Sequence, residues 1–309
     1  MGVDAFLFPG QGSQFVGMGR EWHATSVAAR DVFARADRAA CDGLPGALSQ
    51  LCFEGPAEVL NDTQVTQPAL LVASVAALGA LQEQTDARPS YVAGHSLGEF
   101  SALVAAGALP FEEALGLVCA RGRLMKQAGE EQPGGMAAVI GLERAVLEEI
   151  CAAASHACGE PVGVANDNCP GQLVISGGRQ ALAWAMNAAK ERGAKRVLPL
   201  AVSVAAHSPL MAQAAAEFGR LLEGAPFQTP EVAFVSATTA CAVTAPEEVR
   251  AALRRQLTSP VRWREAVGWM VEQGVTRFVE VGPKDVLTGL VRRIDPTVEV
   301  CHVDALLPN

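Results

Sequence analysis

The segment Val92–Phe100 constrains the fold of this 309-residue chain more than any other. The apolar run Tyr91–Ala93 predicts a buried strand, and the alanine- and leucine-rich segment from Leu97 predicts a helix. Between them, Gly94-His95-Ser96-Leu97-Gly98 fits the G-x-S-x-G pattern of a sharp strand-to-helix turn, which holds a serine hydroxyl clear of the backbone. We therefore expect Ser96 beside a helix N-terminus, whose unpaired N–H groups suit a developing oxyanion.

Strands and helices alternate through most of the chain, which predicts a mostly parallel sheet covered by helices on both faces. The first predicted strand, Asp4–Phe8, ends in the glycine-rich loop Pro9–Gln14. Sites in such sheets lie beyond the carboxyl ends of strands, so this loop is expected to line the same site as Ser96; a plain turn is the alternative. Further helices are predicted over residues 27–40, 56–61, 67–83, 97–106, 111–129, 210–222, 246–257, 260–273 and 284–294, and strands over residues 232–236, 277–281 and 299–303.

A second unit interrupts this pattern after the predicted linker Glu130–Gly135. Predicted strands at 136–142, 162–165, 172–176 and 196–200, a turn at 166–171 and helices at 143–155 and 179–192 follow the order β-α-β-β-α-β. This is the order of a split ferredoxin-like unit. We predict an α/β-hydrolase-like large domain over residues 1–133 and 203–309, and an inserted ferredoxin-like domain over residues 134–202.

Composition disfavours several classes of protein. The net charge of −9 disfavours a nucleic-acid partner, and no apolar run reaches the roughly 18 residues that span a bilayer. The longest run, Ala69–Leu81, is interrupted by Ser74 and Gly79 and predicts a buried helix. The N-terminus has no basic region before its apolar stretch, so no signal peptide is expected. We expect a soluble, cytoplasmic protein without a membrane partner.

The eight cysteines are scattered along the chain and form no C-x-x-C pair. Metal sites and disulfide frameworks usually show closer, regular spacings. We therefore expect reduced thiols and no metal.

A serine needs a base to become nucleophilic at neutral pH, and the chain has five histidines. His207 is the best candidate, because it lies between the strand-like run Val202–Ala206 and the helix start at Ser208-Pro209, where a loop leaves the sheet. It also follows Ser96 in the chain, as in α/β hydrolases. A histidine of the core is the alternative.

Two other side chains near these candidates need a separate interpretation. His95 adjoins Ser96, but neighbouring side chains on a tight turn diverge, so His95 is expected to pack beside the site. No acid between Ser96 and His207 stands out as the partner of the base. Asp167 qualifies by position alone, and a backbone carbonyl is the favoured partner.

Arg121 is a candidate cation for an acidic substrate. Arg121 and Met125 stand four residues apart on the predicted helix 111–129 and share one face. Arginines on helices usually belong to the solvated surface, and the local sequence alone does not separate the two interpretations.

Several motifs follow one another in an order that points to one family. They are Phe8-Pro9-Gly10-Gln11-Gly12-Ser13-Gln14, Thr66-Gln67-Pro68-Ala69, Gly94-His95-Ser96-Leu97-Gly98-Glu99, Arg121-Gly122-Arg123-Leu124-Met125, Met136-Ala137-Ala138-Val139-Ile140-Gly141, Asn168-Cys169-Pro170-Gly171-Gln172, His207-Ser208-Pro209-Leu210-Met211 and Val281-Gly282-Pro283. With them the chain resembles the malonyl-CoA:acyl carrier protein transacylases, the acyltransferases of fatty-acid and polyketide synthesis, over essentially its whole length.

The resemblance implies roles for six residues in one acyl transfer. They are the nucleophile Ser96, the general base His207, the backbone N–H groups of Gln11 and Leu97 as oxyanion hole, Arg121 for the free malonyl carboxylate, and Gln256, whose backbone carbonyl orients the histidine. The implied cycle is ping-pong: malonyl passes from coenzyme A to Ser96 and then to the phosphopantetheine thiol of an acyl carrier protein. No bound cofactor is implied, because the coenzyme A thioester is a substrate.

Ala206 departs from the family pattern. Many malonyl-selective relatives carry phenylalanine before the base histidine, and the smaller Ala206 would widen the pocket for a branched extender such as methylmalonyl. Leu97, after the serine, is the type associated with malonyl, which stays the expected substrate. His95, Met125, Asn166 and Ala206 are expected to line the pocket.

The expected protein is a monomeric transferase that supplies malonyl extender units for fatty-acid synthesis. A polyketide extender-loading enzyme would share every site residue. A hydrolase that clears acyl groups from carrier proteins would share the Ser96–His207 pair, but neutral acyl chains do not need a buried Arg121. An inactive protein that recruits a carrier protein is the alternative from another class, and it would need neither this pair nor Arg121.

Overall fold

The computed structural model describes residues 3–39, 41–202 and 204–308. Ala40, the end of the predicted helix 27–40, and Ser203, a predicted domain boundary, lie outside the described residues, as do the chain ends 1–2 and 309. The strands are β1 (Val3–Phe8), β2 (Tyr91–Gly94), β3 (Gly134–Ile140), β4 (Val162–Cys169), β5 (Gln172–Gly178), β6 (Arg196–Pro199), β7 (Ala233–Ser236), β8 (Cys241–Val243), β9 (Val275–Glu280) and β10 (Glu299–His302).

The helices surround these strands. They are α1 (Arg20–Thr25), α2 (Val27–Arg38), α3 (Leu48–Glu54), α4 (Ala57–Leu60), α5 (Thr63–Gln84), α6 (Gly98–Ala105), α7 (Phe111–Glu131), α8 (Arg144–Cys158), α9 (Arg179–Glu191), α10 (Ala212–Gly224), α11 (Pro246–Gln256), α12 (Trp263–Glu272) and α13 (Val286–Ile294). Short 3-10 turns at Pro209–Met211 and Val303–Ala305 complete the described elements.

The larger sheet has the strand order β10-β9-β1-β2-β7-β8. Its neighbours pair in parallel except for β8, which folds back antiparallel onto β7. Phe8 pairs with Gly94 in register, so the loop after β1 and the turn after β2 leave the sheet at the same edge. The predicted mostly parallel sheet is confirmed, and this edge holds the glycine-rich loop and Ser96 together.

α5 is the core helix of this unit. The side chain of Asp62 accepts a hydrogen bond from Gln64 N (3.0 Å), so the helix begins at Thr63 and not at the predicted Gln67. α5 is long and apolar enough to cross a bilayer, but 89% of its most apolar window is buried inside the molecule, against α2, α6 and α7. The prediction of a buried helix is confirmed.

The smaller sheet is antiparallel, with the order β4-β5-β3-β6. With α8 and α9 packed on it over a core of its own, it forms the expected β-α-β-β-α-β unit. β4 is also tied to the segment before α12, because Asp167 N donates to Val261 O (2.9 Å) and Val261 N donates to Ala165 O (2.8 Å). The small sheet is therefore joined to the edge of the large unit.

Several local predictions are wrong. α7 continues to Glu131 and β3 begins at Gly134, so the expected linker 130–135 is almost absent. The polar residues 166–169 lie in β4, where they pair with β5, and not in a turn. The described residues of the strand-like run 202–206 join no sheet. α1, α3 and β8 were not predicted, because they are short and lack a clear period.

The expectation of reduced thiols is also wrong for one pair. Cys41 and Cys119 form a disulfide with Cα atoms 5.8 Å apart, across 78 positions of sequence. The loop after α2 packs against α7 and brings them together, which no sequence spacing reveals. The six other cysteines are free.

Candidate active site

The turn after β2 forces Ser96 into an uncommon backbone conformation, with φ of 52°. The two glycines of the motif permit this turn. A Cβ on Gly94 would lie 1.9 Å from Gly98 C, and a Cβ on Gly98 would lie 2.1 Å from Phe8 O. The backbone of β1, β2 and α6 therefore converges under Ser96 and presents its hydroxyl at the edge of the sheet.

His207 contacts the hydroxyl of Ser96. Its Nε2 lies 2.8 Å from Ser96 Oγ, and its Nδ1 lies 2.8 Å from Gln256 O and 3.1 Å from Ser259 O. Carbonyl oxygens only accept, so Nδ1 carries the proton and Nε2 is left to accept from the serine. Ala206, which precedes the histidine, is not in a strand. His207 lies in the same turn and has φ of 58°.

No carboxylate orients this histidine among the described residues. The backbone carbonyls of Gln256 and Ser259 hold the position that an acid takes in a triad. Asp167, the acid considered from the sequence, instead approaches Arg144 at 3.5 Å and is almost fully buried. Burial is the main cause that raises the pKa of Asp167.

His207 is neutral at physiological pH. Burial, together with the positive charge of Arg121, lowers its pKa from 6.5 to about 3, against the opposing effect of the carbonyl of Gln256. A neutral imidazole with a free lone pair at Nε2 is the form of a general base.

Arg121 is buried at the site and does not belong to the solvated surface, being only 1% exposed. Its Nη2 donates to Ser96 Oγ (3.2 Å) and to Gln256 Oε1 (2.9 Å), and its Nη1 donates to Gln67 Oε1. Burial lowers the pKa of Arg121 to about 10, while the carboxylate of Glu99 raises it, so the guanidinium stays charged near neutrality. A buried cation therefore contacts the hydroxyl of Ser96.

Two residues that line the same cavity as Ser96 have backbone N–H groups without an acceptor among the described residues. In the described part of the chain, Gln11 N and Leu97 N have no hydrogen-bond acceptor. The loop that carries Gln11 packs closely against the serine turn, because a Cβ on Gly10 would lie 2.4 Å from His95 O. Gln11 is further held by Thr63 Oγ1, which donates to its Oε1 (3.0 Å).

A cavity of about 160 Å³ opens over these groups. Its polar lining is Gln11, His95, Ser96, Arg121, Asn166, Asn168 and His207, and its apolar lining is Leu97, Met125, Met136, Val174, Leu200, Val202, Val204 and Ala206. The structure thus places all four expected pocket residues at the cavity. Gln256 lies behind it, 2% exposed.

Sequence reasoning gave no role to several residues that support the site, among them Asn168 and Trp263, which hold His95. His95 Nε2 lies 2.8 Å from Asn168 Oδ1, and its ring packs edge-on against Trp263 at 5.5 Å between centroids. Glu99 is fully buried and contacts Gln256, and Gln67 contacts Arg121. A signal for Glu99 was present, because it is the one charged residue of helix α6.

Comparison with known proteins gives a consistent picture over the whole chain. Residues 5–308 match the acyl transferase domain family. The malonyl CoA-acyl carrier protein transacylase of Bacillus subtilis (strain 168) is 43% identical over 299 residues, covering 97% of this chain and 92% of that protein. That of Escherichia coli (strain K12) is 46% identical over 294 residues, covering 95% and 93%.

Solved structures agree. The malonyl CoA-acyl carrier protein transacylase from Coxiella burnetii has a TM-score of 0.93 at 39% identity, covering 99% of this chain and 96% of that chain. A malonyl-transacylase solved in complex with its type II PKS acyl-carrier protein has a TM-score of 0.93 at 42% identity, covering 99% of both chains. The sheet architecture described above is therefore shared with these proteins.

Proposed function

The chain belongs to the acyl transferase domain family, and from this premise we propose that it transfers malonyl from malonyl-CoA to the phosphopantetheine thiol of an acyl carrier protein. The enzyme is an acyltransferase. The proposed cycle is ping-pong through an ester on Ser96, it uses no bound cofactor, and coenzyme A enters and leaves as substrate and product. The proposed partners are malonyl-CoA and the carrier protein, and the proposed state is a monomer in the cytoplasm.

In the first half-reaction, Ser96 Oγ attacks the thioester carbonyl while its proton passes to His207 Nε2. The negative charge that develops on the carbonyl oxygen is placed beside the N–H groups of Gln11 and Leu97. When the intermediate collapses, the C–S bond breaks and His207 returns the proton to the coenzyme A thiolate. The second half-reaction repeats these steps with the carrier thiol as nucleophile and Ser96 as leaving group.

The position of Arg121 is the observation that carries the choice of malonyl. A guanidinium buried at 3.2 Å from Ser96 Oγ is a binding site for a carboxylate on the acyl group, and its fork of donors fits two carboxylate oxygens. A hydrolase of neutral acyl groups would gain nothing from this cation and would bear the cost of burying it. The full constellation is likewise unnecessary in a protein that only recruits a carrier.

Extender loading for polyketide synthesis is a second candidate. Ala206 lines the cavity together with Val202 and Val204, which leaves an apolar side open to a branched acyl group. One structural relative is a malonyl-transacylase bound to a type II PKS acyl-carrier protein. We favour malonyl transfer for fatty-acid synthesis, with polyketide extender loading as the alternative.

The test is acyl transfer to a carrier protein from malonyl-, methylmalonyl- and acetyl-CoA. The proposal expects the highest kcat/KM for malonyl-CoA and little free acid, since hydrolysis competes poorly with transfer. Preference for methylmalonyl-CoA would favour the second candidate, and release of free acid without transfer would favour a hydrolase.

A further inference from the structure

A buried carboxylate lies behind the site and has no part in the steps above. Glu99, on α6 three residues after Ser96, is 0% exposed. Its Oε1 accepts hydrogen bonds from Ser236 Oγ (2.9 Å) and Ala237 N (2.7 Å), and its Oε2 accepts from Gln256 Nε2. Burying a carboxylate this deeply costs free energy unless such hydrogen-bond donors compensate it. Its hydrogen-bond partners therefore indicate its role.

Gln256 lies between Glu99 and Arg121. Its Nε2 donates to Glu99 and to Ser96 O (2.9 Å), and its Oε1 accepts from Arg121 Nη2 (2.9 Å). A carboxylate only accepts and a guanidinium only donates, so the amide satisfies both in a single orientation. Rotated by half a turn, it would set its NH2 against the guanidinium and its carbonyl against the carboxylate. Glu99, together with Ser96 O, therefore fixes the orientation in which Gln256 holds Arg121.

Glu99 also supplies negative charge to Arg121 without contacting it. Among the described residues, the hydrogen-bond partners of the guanidinium are the uncharged side chains of Gln67, Ser96 and Gln256. A direct ion pair would occupy the donor fork that a substrate carboxylate needs. With Glu99 one residue further away, the guanidinium donates only to uncharged groups, which a substrate carboxylate can replace, and the buried cation is still compensated. Burial raises the pKa of Glu99, and the donors Ser236, Gln256 and Ala237 and the charge of Arg121 oppose that rise. Glu99 in turn raises the pKa of Arg121 against burial, so each charge favours the other.

We propose that Glu99 is a positioning residue for acyl selection: it orients Gln256, which holds Arg121 beside Ser96 for an acyl group that carries a carboxylate. The inference rests on the proposed function, in which Arg121 receives the malonyl carboxylate. Because Glu99 acts through Gln256 and Arg121, its loss lowers loading from malonyl-CoA and spares loading from acetyl-CoA, whose acyl group has no carboxylate.

The test measures acylation of Ser96 from malonyl-CoA and from acetyl-CoA in the wild type, in Glu99→Gln, in Gln256→Ala and in the double variant. Glutamine at position 99 is uncharged and offers a donor as well as an acceptor, so it no longer demands the NH2 group of Gln256, and the hold of Gln256 on Arg121 weakens. We expect the malonyl-to-acetyl ratio of kcat/KM to fall at least about 10-fold in Glu99→Gln, mainly through a higher KM for malonyl-CoA. The double variant should lose less of this ratio than the two single losses combined, because the amide that Glu99 orients is then absent.

Glu280→Gln is the matched control. Glu280 is also 0% exposed, and its carboxylate accepts from Leu287 N and Thr288 N rather than from a site residue. Glu280→Gln therefore removes a buried charge of the same kind and should leave the ratio unchanged.

The outcomes separate this inference from the proposed function. A wild-type protein that loads neither thioester contradicts the proposed function, and the role of Glu99 with it. If the wild type loads malonyl, three results overturn the role of Glu99 alone. They are an unchanged ratio in Glu99→Gln, equal losses for both thioesters, and additive losses in the double variant. If Glu99→Gln does not fold, Ser236→Ala replaces it, because it removes one donor of Glu99. The expected fall in the ratio is then about 3-fold, and no fall overturns the proposal.

Discussion

At the scale of residues, the hydroxyl of Ser96 is contacted from two sides. His207 Nε2 lies 2.8 Å away and Arg121 Nη2 lies 3.2 Å away. We propose that the cation binds the substrate carboxylate, and its charge adds to burial in lowering the pKa of the histidine. In this proposal, selection of the acyl group and the protonation state of the base are linked through one guanidinium.

Replacing Arg121 tests the selection of the acyl group. Loss of one partner of a buried charge pair costs on the order of 2–5 kcal/mol, so Arg121→Ala should lower kcat/KM for malonyl-CoA by roughly 30-fold or more. The rate with acetyl-CoA should hold or rise. Arg121→Lys should recover only part of the loss, since a point charge does not reproduce the fork.

The matched control is Arg123→Ala, which removes an exposed arginine from the same helix. Its malonyl-to-acetyl ratio of kcat/KM should equal that of the wild type. If the ratio also stays constant in Arg121→Ala, Arg121 does not bind the acyl carboxylate, and the preference for malonyl has another origin.

The pH dependence of acylation tests the state of His207. A base loses activity when it is protonated, and a lowered pKa moves that loss to more acidic pH. With a pKa near 3 in place of 6.5, the rate of Ser96 acylation by acetyl-CoA should stay level between about pH 7 and pH 5. An acid midpoint near 6.5 would contradict the assignment of a buried, neutral base.

Protein stability should respond to the same group. Between pH 6.5 and about pH 3, the unfolded chain binds a proton at His207 that the folded chain does not bind. The contribution of His207 to the free energy of unfolding is therefore full above pH 6.5 and decreases as the pH falls through that window.

At the scale of elements, the site depends on close contact between β1, β2 and α6. Gly98→Ala would place a Cβ 2.1 Å from Phe8 O, so β1 and α6 would have to separate. We expect a lower melting temperature and a large loss of Ser96 acylation. Gly116→Ala is the control, because Gly116 is exposed on α7 with no atom within 4 Å of its Cβ position. Alanine there should leave activity unchanged and stabilise the helix by up to about 1 kcal/mol.

The elements that sequence predicted well are those whose pattern is local. The motif around Ser96 predicts a strand, a turn and a helix within nine residues. The apolar run 69–81 predicts a buried helix, and this run lies within α5. Elements that depend on distant partners were missed. Residues 166–169 are polar and resemble a turn, yet pairing with β5 makes them strand, whereas the apolar run before His207 has no strand to pair with.

Site residues follow the same division. Ser96 was predicted from its motif, and His207 from its position just before the helix start at Ser208-Pro209. Both signals are local. Arg121 and Gln256 could be predicted only through the family resemblance, because a helix arginine and a helix-end glutamine are usually solvated. Glu99 became meaningful only when the structure placed it against Gln256.

At the scale of the whole molecule, the cavity is formed by both sheets. β4 and β5 bring Asn166, Asn168 and Val174 to the pocket, while the turn after β2 of the large sheet brings Ser96. The backbone bonds between β4 and Val261 hold these parts together close to the carbonyls that orient His207. The residue bounds 134–202 of the inserted domain remain a prediction.

The central claim is that malonyl passes through an ester on Ser96. The most direct measurement is mass spectrometry of peptides from the protein mixed with malonyl-CoA, before and after addition of a phosphopantetheinylated carrier protein. We predict a malonyl adduct on the Ser96 peptide that the carrier protein removes and that Ser96→Ala abolishes. An unmodified Ser96 in a protein that still transfers malonyl at full rate would contradict the account.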